Sequence, residues 1–146
     1  MSWFKTKVTY PTDCRWNVLH GKNADQPMLV RKNESAKELK ADGSYRARVG
    51  IAVKLLEATD DGFPSPRELS VLNDLEDALA NAFEAKQNAI HALTITTSGF
   101  REYVFYSKET VDLSAALGIV KAKFNSYELQ SYAAEDADWQ VYNDFG

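Results

Sequence analysis

Tyr45, Ala47, Val49, Ile51, Val53 and Leu55 interleave with Arg46, Arg48, Gly50, Ala52 and Lys54. A period of two over such a stretch fits a half-buried β-strand and no helix. The next residues narrow the fold further. Thr59-Asp60-Asp61-Gly62-Phe63-Pro64 is a turn, because Asp and Gly tolerate tight or left-handed backbone. Ser65, Pro66 and Glu68 then supply an N-cap, a proline at the first helical position and the acidic member of a capping box. Leu69, Leu72, Leu75, Leu79 and Phe83 recur at helical spacing, so one stripe of this helix faces a sheet. Glu76, Asp77 and Glu84 read as its solvated side.

Ile90–Thr97 and Phe100–Tyr106 read as two strands joined about Ser98-Gly99. Val111–Phe124 reads as a second helix, with Leu113, Leu117, Val120 and Phe124 on one side. Tyr127–Ala133 reads as a last strand. The order β-α-β-β-α-β predicts an α+β fold of the ferredoxin-like plan, an antiparallel sheet with two helices on one face. Ahead of it, Arg15–His20 and Met28–Lys32 form an N-terminal hairpin around a polar turn, Gly21–Pro27. Glu34–Gly43 is a polar loop or one loose helical turn. Behind it, Asp136 or Asp138 caps a short C-terminal helix bearing Trp139, Tyr142 and Phe145. Three aromatics there favour a packed lid over an exposed partner-binding helix.

The 146 residues suit a single domain: a tail over 1–13, hairpin and loop over 14–44, the βαββαβ core over 45–133 and the terminal helix over 134–146. A net charge of −4 argues against a general nucleic-acid binder, which carries a strong basic excess. Cys14 is the sole cysteine, so no internal disulfide forms, as suits a reducing compartment. Met1–Tyr10 mixes Trp3, Phe4 and Val8 with Lys5 and Lys7 and lacks the continuous apolar run of a secretory leader. No stretch approaches membrane-spanning length. The expectation is a cytoplasmic protein with no membrane association.

Chemistry-bearing signatures are sparse. His20 and His91 both fall on strands, without a Cys, His or carboxylate at metal-ligand spacing. His91 shares strand parity with Leu93 and Ile95 and reads as a core or edge histidine. No phosphate loop, nucleophile elbow or HExxH helix is present. No catalytic residue, metal ligand or cofactor is therefore expected. The candidate recognition residues are Arg31, Arg46, Arg48, Arg101 and Tyr103. Arg can form bidentate contacts to carboxylate or phosphate, and Tyr offers a stacking surface. The plain alternative for these arginines is a solvated sheet face balanced by acids.

The turn at Ser98-Gly99 decides what that strand presents. A two-residue turn pairs Thr97 with Phe100 and sets Arg101, Tyr103 and Phe105 opposite the Leu93/Ile95 face, beside Arg46, Arg48 and Lys54. A three-residue loop turns Tyr103 and Phe105 into the core, because a one-residue slip flips every side chain. Three functions follow. The first is a non-catalytic protein-interaction or regulatory module with a protein partner. The second is single-stranded RNA binding through Arg101, Tyr103 and Phe105, which net charge disfavours. The third is a small-anion binder or enzyme with an Arg/Tyr site.

Several segments resemble one uncharacterised bacterial family, domain of unknown function 695. They are Trp16, Pro27-Met28-Leu29-Val30-Arg31-Lys32-Asn33, Asp61-Gly62-Phe63-Pro64, Leu75-Glu76-Asp77, Thr97-Ser98-Gly99-Phe100-Arg101-Glu102-Tyr103-Val104-Phe105-Tyr106 and Asp138-Trp139-Gln140-Val141-Tyr142. Their order and spacing carry the resemblance across most of the chain. It implies no activity and no catalytic residue. Size, charge and αβ layout are also similar to those of the type B regulators of ribonuclease E, which are non-catalytic inhibitors that bind their target enzyme.

Overall fold

The computed structural model describes residues 9–108 and 112–146. The expected N-terminal tail, as far as residue 8, and the expected helix start at Val111 lie outside the described residues. Within them, six strands form one antiparallel sheet: β1 (Trp16–Asn23), β2 (Gln26–Asn33), β3 (Ala47–Lys54), β4 (Ala89–Thr97), β5 (Phe100–Ser107) and β6 (Leu129–Glu135). The helices are α1 (Lys37–Lys40), α2 (Pro66–Phe83), α3 (Leu113–Lys123) and α4 (Gln140–Asp144). The fold is α+β, with strand order β1-β2-β4-β5-β3-β6 rather than that of a four-stranded plan alone. The β1–β2 hairpin covers neither face of the sheet. It extends the sheet sideways, β2 pairing with β4 from Met28↔Thr97 to Lys32↔Leu93.

α2 starts where its residues dictate. The Ser65 hydroxyl accepts from the Glu68 amide at 3.1 Å, and Pro66 opens the helix without losing a bond it could have made. Glu68 does not complete the expected capping box. Its buried carboxylate accepts from the Leu56 amide (2.6 Å), the Glu57 amide (2.8 Å) and the Tyr127 hydroxyl (2.7 Å). The side chain thus ties the end of β3, the start of α2 and the approach to β6 together.

Both faces of the central strands are buried. On one face Val49, Ile51, Val53, Tyr103 and Phe105 meet Leu72, Leu75, Leu79 and Phe83 of α2 and Leu117 and Val120 of α3. Each such side chain contributes about 1.5–3 kcal/mol when fully buried. On the opposite face Val30, Ile90, Ala92, Val104 and Tyr106 meet Ala36, Leu39 and Tyr45 from the chain between β2 and β3, and Trp139 and Tyr142 from the C-terminal segment. That segment is a packed lid. Trp139 stacks on Tyr106 with ring centres 4.1 Å apart, its Nε1 donates to the Tyr45 carbonyl at 2.8 Å, and the Tyr142 hydroxyl donates to the Asn33 carbonyl at 2.7 Å. The lid stops short of the other half of this face. There Ala52 and Lys54 of β3, Phe100 and Glu102 of β5, and Gln130 and Tyr132 of β6 reach solvent.

Candidate functional site

Ser98 and Gly99 form a two-residue turn, both with positive φ (55° and 81°), and Thr97 pairs with Phe100. This is the backbone a twisted hairpin favours. The resulting register sets Arg101 beside Thr96 and Val53, and Tyr103 beside Thr94 and Ile51. Arg101, Tyr103 and Phe105 do point away from Ile95, as a two-residue turn requires. That face, however, is the one on which α2 packs. Arg101 is 3% exposed and Tyr103 and Phe105 are 0% exposed, so they do not join Arg46, Arg48 and Lys54 on an open surface. Because β4 and β5 are buried on both sides, hydrophobicity alone does not tell which face the helices take. Leu93 lies in the lid-side core, and Ile95 packs against it.

A bulge between His91 and Leu93 corrects a second expectation. The inserted residue breaks the period of two, so His91 lies opposite Phe105 and points to the helix side, not to the face of Leu93. There it enters a polar cluster that joins β2, β4 and α2. Arg31 Nη1 contacts Glu76 Oε1 at 2.7 Å, and the Thr94 hydroxyl donates to the same oxygen at 3.1 Å. His91 Nε2 lies 3.0 Å from the Leu93 carbonyl and 2.8 Å from Thr94 Oγ1. A carbonyl only accepts, so Nε2 carries a proton. Burial pushes the His91 pKa down to about 4, Glu76 partly opposing it. The Arg31 guanidinium lies 4.7 Å from the centre of the Trp16 ring.

Arg101 Nε donates to Thr96 Oγ1 at 2.9 Å, and the Tyr103 hydroxyl donates to the Leu72 carbonyl at 3.1 Å. Burial raises the Tyr103 phenol far above its usual range, so it stays protonated. With both ring faces inside the core, Tyr103 and Phe105 cannot stack on nucleic-acid bases. The RNA reading through this strand is withdrawn on that ground. Glu76 and Glu84 also depart from the expected solvated side. Glu76 is half-buried against β2 and β4, and Glu84 accepts from the His91 amide at 2.9 Å. A signal was present: Glu76 follows Leu72 by four and precedes Leu79 by three, which puts it on the inward stripe.

On the lid side, Arg48 Nη1 donates to Asp136 Oδ2 at 2.9 Å. The same carboxylate accepts from the Tyr106 hydroxyl at 2.7 Å and from the Gln140 amide at 2.8 Å. Asp136 thus satisfies the first amides of α4, while Trp139 holds the N-cap position without a side-chain bond of its own. Burial alone would raise its pKa, but the bonds from Tyr106, Gln140, Arg48 and Val141 outweigh it and hold the acid below the usual carboxylate range. Arg48 is therefore a latch on the lid, and Arg46 forms an exposed pair with Glu135 at 3.0 Å. The five candidate residues divide by face. Arg31, Arg101 and Tyr103 lie on the helix side, and Arg46 and Arg48 on the lid side.

Beyond the latch lies the uncovered half-face. Tyr132 rests across Gly50 and leaves no room for a side chain there, which flattens the surface. Burial and Glu102 raise the Tyr132 phenol, with Arg48 opposing. Phe100 is 49% exposed and Tyr132 39% exposed, so two aromatics frame a patch containing Ala52 and Glu102. No sequence pattern marked Tyr132 as a surface residue, since its strand offers no clear alternation.

Among the described residues, no group of three or more His, Cys, Asp or Glu is placed to hold a metal ion. Among them too, no helix is long and apolar enough to cross a membrane. Residues 14–145 match the family model described as "Family of unknown function (DUF695)". No curated protein matches the chain, so the similarity to the type B regulators of ribonuclease E rests on size, charge and layout alone. No solved structure matches it either.

Proposed function

The chain belongs to this family of unknown function, DUF695, and we propose that it is a non-catalytic protein-interaction or regulatory module of the bacterial cytoplasm. Its partner surface is the uncovered half-face around Phe100, Glu102 and Tyr132. The observation that carries this reading is the contrast in exposure. The groups with chemical potential, His91, Arg101, Tyr103 and Glu68, are buried and hydrogen-bonded to protein atoms, whereas large aromatics stand exposed on a flat sheet face. Aromatic residues are favoured anchors in protein interfaces. The same proposal reads the unit from β3 to β6 as ferredoxin-like. The adjacency β4-β5-β3-β6 and two crossover helices on one face support it, and the hairpin beside β4 adds to that plan.

The test is affinity capture from host lysate after nuclease treatment, comparing the wild-type chain with Phe100→Asp. A stoichiometric protein recovered by the first and reduced at least tenfold with the second supports the surface. Equal recovery by both, or enrichment of RNA alone, removes it.

A further inference from the structure

Two strands end the sheet, and they differ. β1 carries His20, Gly21 and Lys22 along its outer half. β6, Leu129-Gln130-Ser131-Tyr132-Ala133-Ala134-Glu135, has no proline, lysine or arginine. It pairs with β3 in unbroken register from Ala47↔Glu135 to Val53↔Leu129, with no bulge to twist the edge away. Among the described residues no strand lies along its second side, and Gln130 to Ala133 are exposed. Edge strands that remain unpaired are ordinarily blunted by such charges, prolines or bulges. This one has none of them before Glu135.

We propose that β6 pairs antiparallel with β6 of a second copy of this chain, about a two-fold axis at Ala133, so that two sheets join into one. A two-fold axis perpendicular to the sheet keeps each side chain on its own face. Ala133 then faces itself, Tyr132 faces Ala134 of the second copy, and Ser131 faces Glu135. The strand carries both halves of its own complement. Tyr132 lies back over Gly50 of its own sheet and leaves the outer edge clear, while Ala133 sets a small side chain on the axis. The Ser131 hydroxyl can donate to the facing Glu135 carboxylate. Moving the axis to Tyr132 would instead set Ser131 against Ala133 and take Glu135 away from it. Moving it to Ser131 would set Ser131 against itself, again without a facing carboxylate. A foreign strand would have to supply the matching donor and carboxylate independently, and that is why a second copy is the chosen occupant. A single strand pair buries less than the roughly 1,000 Å² typical of stable interfaces, so the dimer dissociates on dilution. Tyr132 borders both regions, but Phe100 lies on β5 and Ala133 on the outer edge of β6, so Phe100→Asp and Ala133→Lys report on them separately.

Sedimentation equilibrium across a micromolar concentration series tests it. The mass should rise from 16.4 kDa towards twice that value. Ala133→Lys places two like charges on the axis and should hold the protein monomeric at every concentration, with unchanged thermal unfolding of the dilute chain. If that variant unfolds, a Cys14→Ser/Ala133→Cys chain decides. Directly facing residues lie about 4.5–5.5 Å apart, within disulfide reach, so mild oxidation should crosslink it and not a Cys14→Ser/Gln130→Cys chain. A monomer at all concentrations without crosslinking, a dimer indifferent to Ala133→Lys, or open-ended oligomers built from β1 against β6 would each overturn the proposal.

Discussion

The two faces of the sheet handle polar residues in opposite ways. On the helix side Arg31, Glu76, Thr94 and His91 form one cluster under α2, and each polar group is met by protein. On the lid side Arg48, Asp136 and Tyr106 fasten a short C-terminal segment, and beyond this latch the face is left open. The difference lies in the covering elements. α2 spans 18 residues and can seal the strands it crosses, whereas α4 spans 5 and cannot. A cluster held under a long helix and bonded to protein specifies packing. A half-covered face leaves surface for recognition.

Removing the lid should break the comparison most strongly. Trp139→Ala deletes a ring stacked on Tyr106 and should cost about 3–5 kcal/mol in urea unfolding, with hydrogen exchange rising in Gln140–Asp144 before the rest of the chain.

Acid should act on the helix side instead. The folded-state pKa of His91 is about 4, below its ordinary 6.5, so the unfolded chain takes up this proton first as pH falls. The contribution is complete above pH 6.5, is lost progressively between 6.5 and 4, and is flat below that. It amounts to about 3 kcal/mol. Glu84, whose pKa is raised chiefly by burial, works in the opposite sense as pH rises through its own titration. Urea unfolding against pH in a Glu84→Gln background isolates the histidine, and His91→Phe should flatten the profile.

Smaller effects sharpen the picture. Ser65→Ala removes the cap of α2 and should cost about 1 kcal/mol, read as a lowered urea midpoint with unchanged slope. Phe100→Asp, on the uncovered half-face, should change stability by no more than about 0.5 kcal/mol while abolishing partner capture.

Local chemistry was legible in the chain, and the choice of face was not. Ser65-Pro66 marked the start of α2, Ser98-Gly99 marked a hairpin turn of either two or three residues, and the cluster of Trp139, Tyr142 and Phe145 marked a packed lid. Each of these signals lies within a few residues of its effect. Arg101 and Tyr103 were misplaced because strands buried on both sides lose the alternation that would orient them. The bulge near Ala92 has no proline or glycine to announce it, so the parity of His91 misled. Glu76 read as solvated because a carboxylate on an inward stripe is rare without a cation, and its cation, Arg31, lies on a distant strand.

The central claim is that the helix-side aromatics are sealed while those of the half-covered face are available. Hydroxyl-radical footprinting of the free chain tests it most directly. The account predicts rapid modification of Phe100 and Tyr132 and protection of Tyr103 and Phe105 until the protein unfolds. Modification of Tyr103 or Phe105 in the folded chain at the rate of Phe100 would contradict it.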